Sequence, residues 1–260
     1  MPLDEQKVLL RTDSELRRRL IDVASRPYEG PEVVGAEPRP PEWDMFYVMD
    51  RIKRPHRTVA EVATERGVPP AEAMIDLALE HDFKLFFRQP IANENQDDAL
   101  ALMKHPRSMV TFSDSGAHVS QIMDSSLQTH LLSHWVREKE AFTLEEAVRL
   151  ITYDTATNWG FHDRGLLREG LTADIAVFDP ATVEPRMPEV AHDLPGGSAR
   201  LKQYADGFLA TVVAGEIVLK ENQHTGALPG KLLRGPRTAD RWPGASPQAQ
   251  MSGLMPDKIC

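Results

Sequence analysis

The stretch RTVAEVATERGVPPAEAMIDLALEHDFKLFF, residues 57 to 87, sets the architectural reading of the chain. Thr58 and Glu61 have the spacing of a capping box, and Val59, Val62 and Ala63 continue one face until Gly67, where the helix is predicted to stop. Pro69 and Pro70 open a second helix, whose Ala71, Met74, Ile75, Ala78 and Leu79 recur at i, i+3, i+4, i+7 and i+8. Phe83 to Phe87 follows as a short buried strand. The rhythm extends outward in both directions. Trp43 to Met49 (WDMFYVM) reads as a preceding strand, Asp98 to Lys104 as a following helix, and Met109 to Phe112 as a further strand that ends in the polar turn Ser113-Asp114-Ser115-Gly116. Strands alternating with helices predict parallel βα units and an α/β fold.

Toward the N-terminus, Leu16, Leu20, Ile21 and Val23 follow a helical stripe, while prolines 27, 31, 38, 40 and 41 predict an irregular stretch over residues 26 to 41. Beyond the polar turn, Leu127, Leu131 and Trp135 form one stripe. Thr143 and Glu146 make a second capping box, and Asp154 is expected to cap a short helix ending at Gly160. The texture then changes. Asp174 to Phe178 and Phe208 to Val213 read as strands, with Ala214-Gly215 turning the latter into Glu216 to Lys220 as a hairpin. Residues 236–260 read as a disordered tail. No internal repeat is present.

A chain of 260 residues, 27% charged and 41% hydrophobic, is long enough to bury a core and is globular in character. No run approaches the roughly 18 apolar residues of a membrane span, and Met-Pro-Leu-Asp-Glu lacks the order of a signal peptide, so a cytoplasmic location is expected. The single cysteine, Cys260, excludes an internal disulfide and a cysteine-based zinc cage. A net charge of −9, with no basic stripe interleaved with aromatics, argues against nucleic acid or an anionic membrane and for a small molecule or a protein as partner.

Several chemistries fall away on spacing. Ser113 is flanked by Thr111 and Ser115 where G-x-S-x-G needs glycines, and no phosphate-cradling G-x-x-x-x-G-K-[ST] or G-x-G-x-x-G occurs. His130 and His134 stand four apart on a helix and could face one metal ion, but Leu131-Leu132-Ser133 lacks the glutamate of H-E-x-x-H; two histidines flanking a stripe packed with Leu131 and Trp135 are the better account. Asp114 directly after an apolar strand occupies the position where βα folds present catalytic groups. The same Asp, Ser and Gly are what any strand-to-helix turn prefers, so at this point both readings stand. His118 either reaches the same mouth or hydrogen-bonds the loop.

The stretch MVTFSDSGAHVSQIMDSSLQTHLLSHWVREKE (109–140), followed by TLEEAVRLITYDTATNWGFHDRGLLREGLTADIAVFDPATV (143–183), resembles the C-terminal half of an amidohydrolase-superfamily enzyme, in the N-acyl-D-amino-acid deacylase (D-aminoacylase) branch. Residues 57–80 and 212–234 share the likeness, which covers most of residues 43 to 235. Its most specific part runs from Thr143 through the G-x-x-x-x-G-x-x-A-D element, Gly165 to Asp174. The resemblance implies a (β/α)8 TIM-like barrel bearing one or two zinc ions, with a small β-sandwich beside it. It implies a barrel portion over residues 1–160, a sandwich portion over 161–235, and Met109 to Phe112 as the last barrel strand. By the same likeness Asp114 takes a proton from zinc-bound water as it attacks an amide carbonyl and passes it to the departing amine, with Ser115 and His118 as substrate-binding candidates.

Family members hold zinc through an H-x-H after the first barrel strand, together with residues of the middle strands. No H-x-H occurs here, and His56, His81 and His105 match no ligand position, so no metal ligand is assigned to this chain. A full barrel takes about 250 residues, or roughly 31 per unit. The barrel portion has room for about five units at that length, and the pattern shows about three, so an incomplete barrel is expected. Unpaired strand edges and a wet apolar face call for a cover, and three expectations stand: a companion polypeptide carrying the N-terminal barrel half, self-association, or a chain that is an incomplete product of a longer coding sequence. Two functions follow as expectations. One is the C-terminal portion of a zinc-dependent amidohydrolase acting on an N-acyl amino acid or related amide. The other is a non-catalytic remnant or interaction subunit that keeps fold elements without the metal.

Overall fold

The computed structural model describes residues 1–26, 30, 41–90, 92–123 and 125–234. They fall into two compact units, Met1–Ala99 and the chain from Leu100 onward. The predictions for residues 26 to 41, apart from Arg26, Gly30 and Pro41, and for the tail at 236–260 lie outside the described residues.

In the first unit, α1 (Leu3–Thr12) and α2 (Ser14–Ala24) are separated by Asp13, whose side chain caps α2 by accepting from the Leu16 amide at 2.9 Å. A 3-10 turn, Trp43–Met45, leads into β1 (Tyr47–Met49), so the strand expected from Trp43 begins four residues later. Helices α3 (Val59–Arg66) and α4 (Pro70–Glu80) form as the spacing predicts. Thr58 Oγ1 accepts from the Glu61 amide at 3.1 Å, and Glu61 Oε2 accepts from the Thr58 amide at 2.7 Å, closing the capping box. Gly67 ends α3 with φ +68°, a left-handed conformation that costs glycine nothing. In α3 the predicted face, Val59, Val62 and Ala63, is the buried one, whereas in α4 the buried residues are Ala71, Ala73 and Leu77, so the expected Met74, Ile75, Ala78 and Leu79 are only half-buried. Val48, Val59, Val62, Ala63, Ala73 and Leu77 make the core, with Trp43, Phe46, Met74, Leu85 and Phe87 packed on it. Each fully buried valine contributes about 1.5–3 kcal/mol. Removing the cap by Thr58→Ala is expected to cost about 1 kcal/mol, read as a lower urea midpoint at unchanged m-value; an unchanged midpoint would show that packing alone holds α3.

Two corrections concern the strands. The strand expected over Phe83 to Phe87 is β2 (Phe86–Arg88), because Asp82 and Phe83 turn with φ of +53° and +58° and cannot be extended. β2 pairs antiparallel with β1, Tyr47 opposite Arg88 and Val48 opposite Phe87, where parallel βα units were expected. One helix between strands reverses the chain once and returns it parallel. Here α3 and α4 both intervene, the chain reverses once more, and the second strand arrives antiparallel.

The second unit begins around α5 (Gln96–Lys104), which bridges the boundary between the units. Met109 to Phe112, expected as a barrel strand, forms no strand with any of the described residues, and Phe112 is 73% exposed. The short strand in this region is instead β3 (Ser115–His118). Helix α6 (Leu127–His130) continues into a π-helical stretch, Leu131–Glu138, that buries Leu131, Leu132, His134 and Trp135. α7 (Leu144–Arg149) carries the second capping box, with Glu146 Oε2 accepting from the Thr143 amide at 2.8 Å. A second π stretch, Leu150–Asp154, runs straight into α8 (Thr155–Asn158). Asp154 is therefore helical itself and caps nothing with its side chain, contrary to expectation, although Gly160 does end the segment with φ +76°.

Thereafter the chain is strand-rich and antiparallel. β4 (Ile175–Phe178), β5 (Glu184–Pro185), β6 (Glu189–Ala191), β7 (Arg200–Lys202), β8 (Ala205–Asp206), β9 (Phe208–Val213), β10 (Glu216–Lys220) and β11 (Gln223–His224) make one four-stranded sheet, ordered β11-β10-β9-β4, and two ribbons, β5-β8 and β6-β7. The predicted hairpin is present: Ala214 and Gly215 have φ of +51° and +85°, the pair of positive values a tight two-residue turn needs. Asp174 Oδ1 accepts from the Ala214 amide at 2.8 Å, and Arg164 pairs with both Asp163 and Asp174. The G-x-x-x-x-G-x-x-A-D element thus serves to pin the hairpin to its sheet. Among the described residues every strand pair is antiparallel and no closed barrel is formed. No helix among them is long and apolar enough to cross a membrane.

Candidate functional site

Residues 113–118 form a solvent-facing turn held at both ends. On the upstream side, Thr155 Oγ1, at the start of α8, donates to the Val110 carbonyl at 2.7 Å. Downstream, the Leu201 amide of β7 donates to the Val119 carbonyl at 2.8 Å. Between these tethers the turn is closed by its own backbone. The Ala117 amide donates to the Asp114 carbonyl at 3.0 Å, and the Ser115 amide to Ser113 Oγ at 3.3 Å. Within β3, Gly116 has φ +100° and His118 φ +44°.

The structure brings Asp114, Ser115 and His118 into this one turn, all three exposed. Among the described residues no side-chain hydrogen bond or ion pair engages the Asp114 carboxylate. It is open to whatever arrives from solvent, as a group that exchanges protons with a ligand must be. The His118 backbone carbonyl accepts from Gln121 and Ile122, which orients the loop after it. Thr155, which sets the upstream end, escaped sequence reading because a threonine inside a helical run carries no local mark of a tertiary hydrogen bond.

His130 and His134 stack with centroids 4.8 Å apart and planes at 15°. His134 is 4% exposed and its Nδ1 donates to Glu138 Oε2 at 2.9 Å. That hydrogen bond holds the Glu138 carboxyl below the usual glutamate range. The stripe is thus a packed His-His-Glu ladder with Trp135 edge-on to His134. Among the described residues no three or more His, Cys, Asp or Glu side chains are grouped so as to hold a metal ion.

Residues 39–219 match the family model described as the Amidohydrolase family, and the chain belongs to that family. Its relatives are specific. It is 30% identical over 188 residues to N-acyl-D-aspartate deacylase of Alcaligenes xylosoxydans xylosoxydans, covering 68% of this chain and 32% of that protein. D-aminoacylase of the same organism is 35% identical over 103 residues, covering 40% of this chain and 19% of that one. Among solved structures, N-acyl-D-glutamate deacylase from Bordetella bronchiseptica, complexed with zinc and a phosphonate inhibitor, overlaps 68% of this chain and 35% of its own at 24% identity and a TM-score of 0.34. The chain spans about a third of the length of the curated relative it matches over 188 residues. The zinc that the family resemblance implies finds no grouped donor set among the described residues, so the side chains described here do not fit that ion.

Proposed function

We propose that this chain is the C-terminal portion of a metal-dependent amidohydrolase that hydrolyses the amide C–N bond of an N-acyl-D-amino acid. The observation that carries the reading is the family match across residues 39–219, which runs through the Asp114 turn and the Gly165 to Asp174 element. Residues 1–160 then contribute part of a TIM-like barrel and 161–235 part of a β-sandwich. The metal, zinc by analogy with the Bordetella enzyme, would be held by residues outside this chain, on an N-terminal barrel-half polypeptide or segment. A cytoplasmic location and a small amide as ligand complete the proposal.

Amide hydrolysis fixes what the chain's own residues must do. An amine is a poor leaving group unless its nitrogen is protonated, and the attacking water must lose a proton. A single carboxylate that receives one proton and delivers another meets both needs. Asp114 suits that part, since its carboxylate is exposed on a turn tethered at both ends. Ser115 and His118, on the same turn, are placed to hydrogen-bond the substrate's polar groups.

The test is release of free amine from N-acetyl-D-amino acids and their L counterparts. The chain is assayed alone and after production together with a polypeptide corresponding to the remainder of the relatives' length. Hydrolysis of the D series by the combined preparation is expected. Tight association of the two without any amide hydrolysis would instead favour the non-catalytic interaction subunit.

A further inference from the structure

In the first unit, a cationic cluster lies at the end of the β1-β2 ribbon. Arg88, the last residue of β2, sits opposite Tyr47 and lays its guanidinium over that ring at 4.7 Å. The other arginines with displaced titration, Arg18, Arg66, Arg164, Arg186 and Arg200, are each raised by a hydrogen-bonded carboxylate. Arg88 is the reverse. Burial, and after it the Arg54 guanidinium, weigh against its charge, and its Nε is buried with no hydrogen-bond partner. An arginine cannot shed its proton to escape, so the cost remains as an uncompensated charge.

His56 shares the defect. Its Nε2 lies 2.9 Å from the Arg51 carbonyl, an acceptor, so Nε2 carries the hydrogen and Nδ1 of the neutral ring holds only a lone pair. That Nδ1 is buried without a partner. Burial first, then Arg88 and Arg54, hold the imidazole below its usual range, opposed by the Arg51 carbonyl hydrogen bond and the Asp50 carboxylate. Among the described residues Arg54 makes one long contact, 3.4 Å to the neutral Gln96 side-chain amide oxygen. Asp50 lies 3.6 Å from Arg51. Arg88 and His56 thus each carry a buried orphaned polar atom, and both feel the Arg54 guanidinium with one competing carboxylate, an arrangement that costs stability unless an anion completes it.

We propose that Arg88, Arg54 and His56 form a binding site for the carboxylate of a small molecule. The carboxylate accepts from the two guanidiniums, whose planar forks match its two oxygens. His56 takes a proton from solvent at Nδ1 and donates it as a third hydrogen bond. The site stands on these residues alone and is independent of whether Asp114 handles protons.

The experiment titrates sodium acetate into the full chain at neutral pH, with sodium chloride matching ionic strength and inorganic phosphate as a parallel arm. Two readouts are followed: the arginine Nε–H resonances in hydrogen–nitrogen correlation spectra, and the melting temperature. One arginine resonance is expected to shift saturably with acetate, with a rise in melting temperature. Both responses should vanish in Arg88→Met, while that variant melts at or above wild type without acetate because an uncompensated buried charge is gone. If Arg88→Met does not fold, Arg88→Lys, which keeps the charge but not the fork, should lose the acetate-dependent rise in melting temperature. A response absent from wild type, kept in Arg88→Met or Arg88→Lys, or given by phosphate alone overturns the proposal. So does a dimer that dissociates in Arg88→Met, which would put the carboxylate on a second copy of this chain.

Discussion

Asp114→Asn is expected to lower turnover of N-acyl-D-amino acids by the combined preparation about 10²–10⁴-fold, the range spanned by loss of one positioned acid–base group. The amide is isosteric with the carboxylate and cannot take up a proton, so it removes the chemistry and little else. The Asp114 side chain is exposed, and the turn is closed by the backbone of Asp114 and the hydroxyl of Ser113, neither of which changes. Melting temperature and the strength of association with the rest of the barrel should therefore match the parent. Activity within a factor of a few of the parent would take Asp114 out of the mechanism. A matched drop in stability and activity would assign it to the fold.

The second large effect is structural. Gly207, between β8 and β9, has φ +82°, and a Cβ there would stand 2.5 Å from both Cα and N of Val183. Val183 is fully buried, and the Gly207 carbonyl accepts from the Asp179 amide at 2.8 Å, so neither strand is free to withdraw. Gly207→Ala combines a left-handed backbone penalty of about 1–2 kcal/mol with an overpacking cost of about 1–3 kcal/mol. A loss of about 3 kcal/mol, or roughly 6–12 °C in melting temperature, is expected. Gly226→Ala is the control: its φ is +92° but nothing lies within 4 Å of the new methyl, so it should show the backbone share alone. Equal melting of the two variants would mean that Val183 yields easily.

What could be read from sequence was local. Both capping boxes, the stop at Gly67 and the Ala214-Gly215 hairpin depend on residues within four positions of one another, and all are present. Partner choice was not legible. Met109 to Phe112 has strand composition, but a strand is defined by a neighbour for its amides, and the segment finds a hydroxyl from α8 instead. Phe83 reads as apolar strand and adopts a positive φ because the chain must leave α4 sharply before β2. The direction of β2 was missed: two helices were predicted between the strands, yet parallel units were expected. At the candidate site, the turn itself was visible as Ser-Asp-Ser-Gly, whereas Thr155 and Leu201, 45 and 82 residues from the positions they hold, left no local trace. Arg88 was invisible for a like reason: cross-strand register sets it opposite Tyr47, 41 residues away.

The Val119–Leu201 hydrogen bond carries a consequence for how such chains can be cut and joined. A piece ending before Leu201 would retain every residue of the turn yet release its downstream end to swing. The strand-rich region, which brings no reactive group of its own to the turn, acts as the jig that keeps the working edge in alignment. Shuffling it between relatives would be felt first as a change in how residues 113–118 are held.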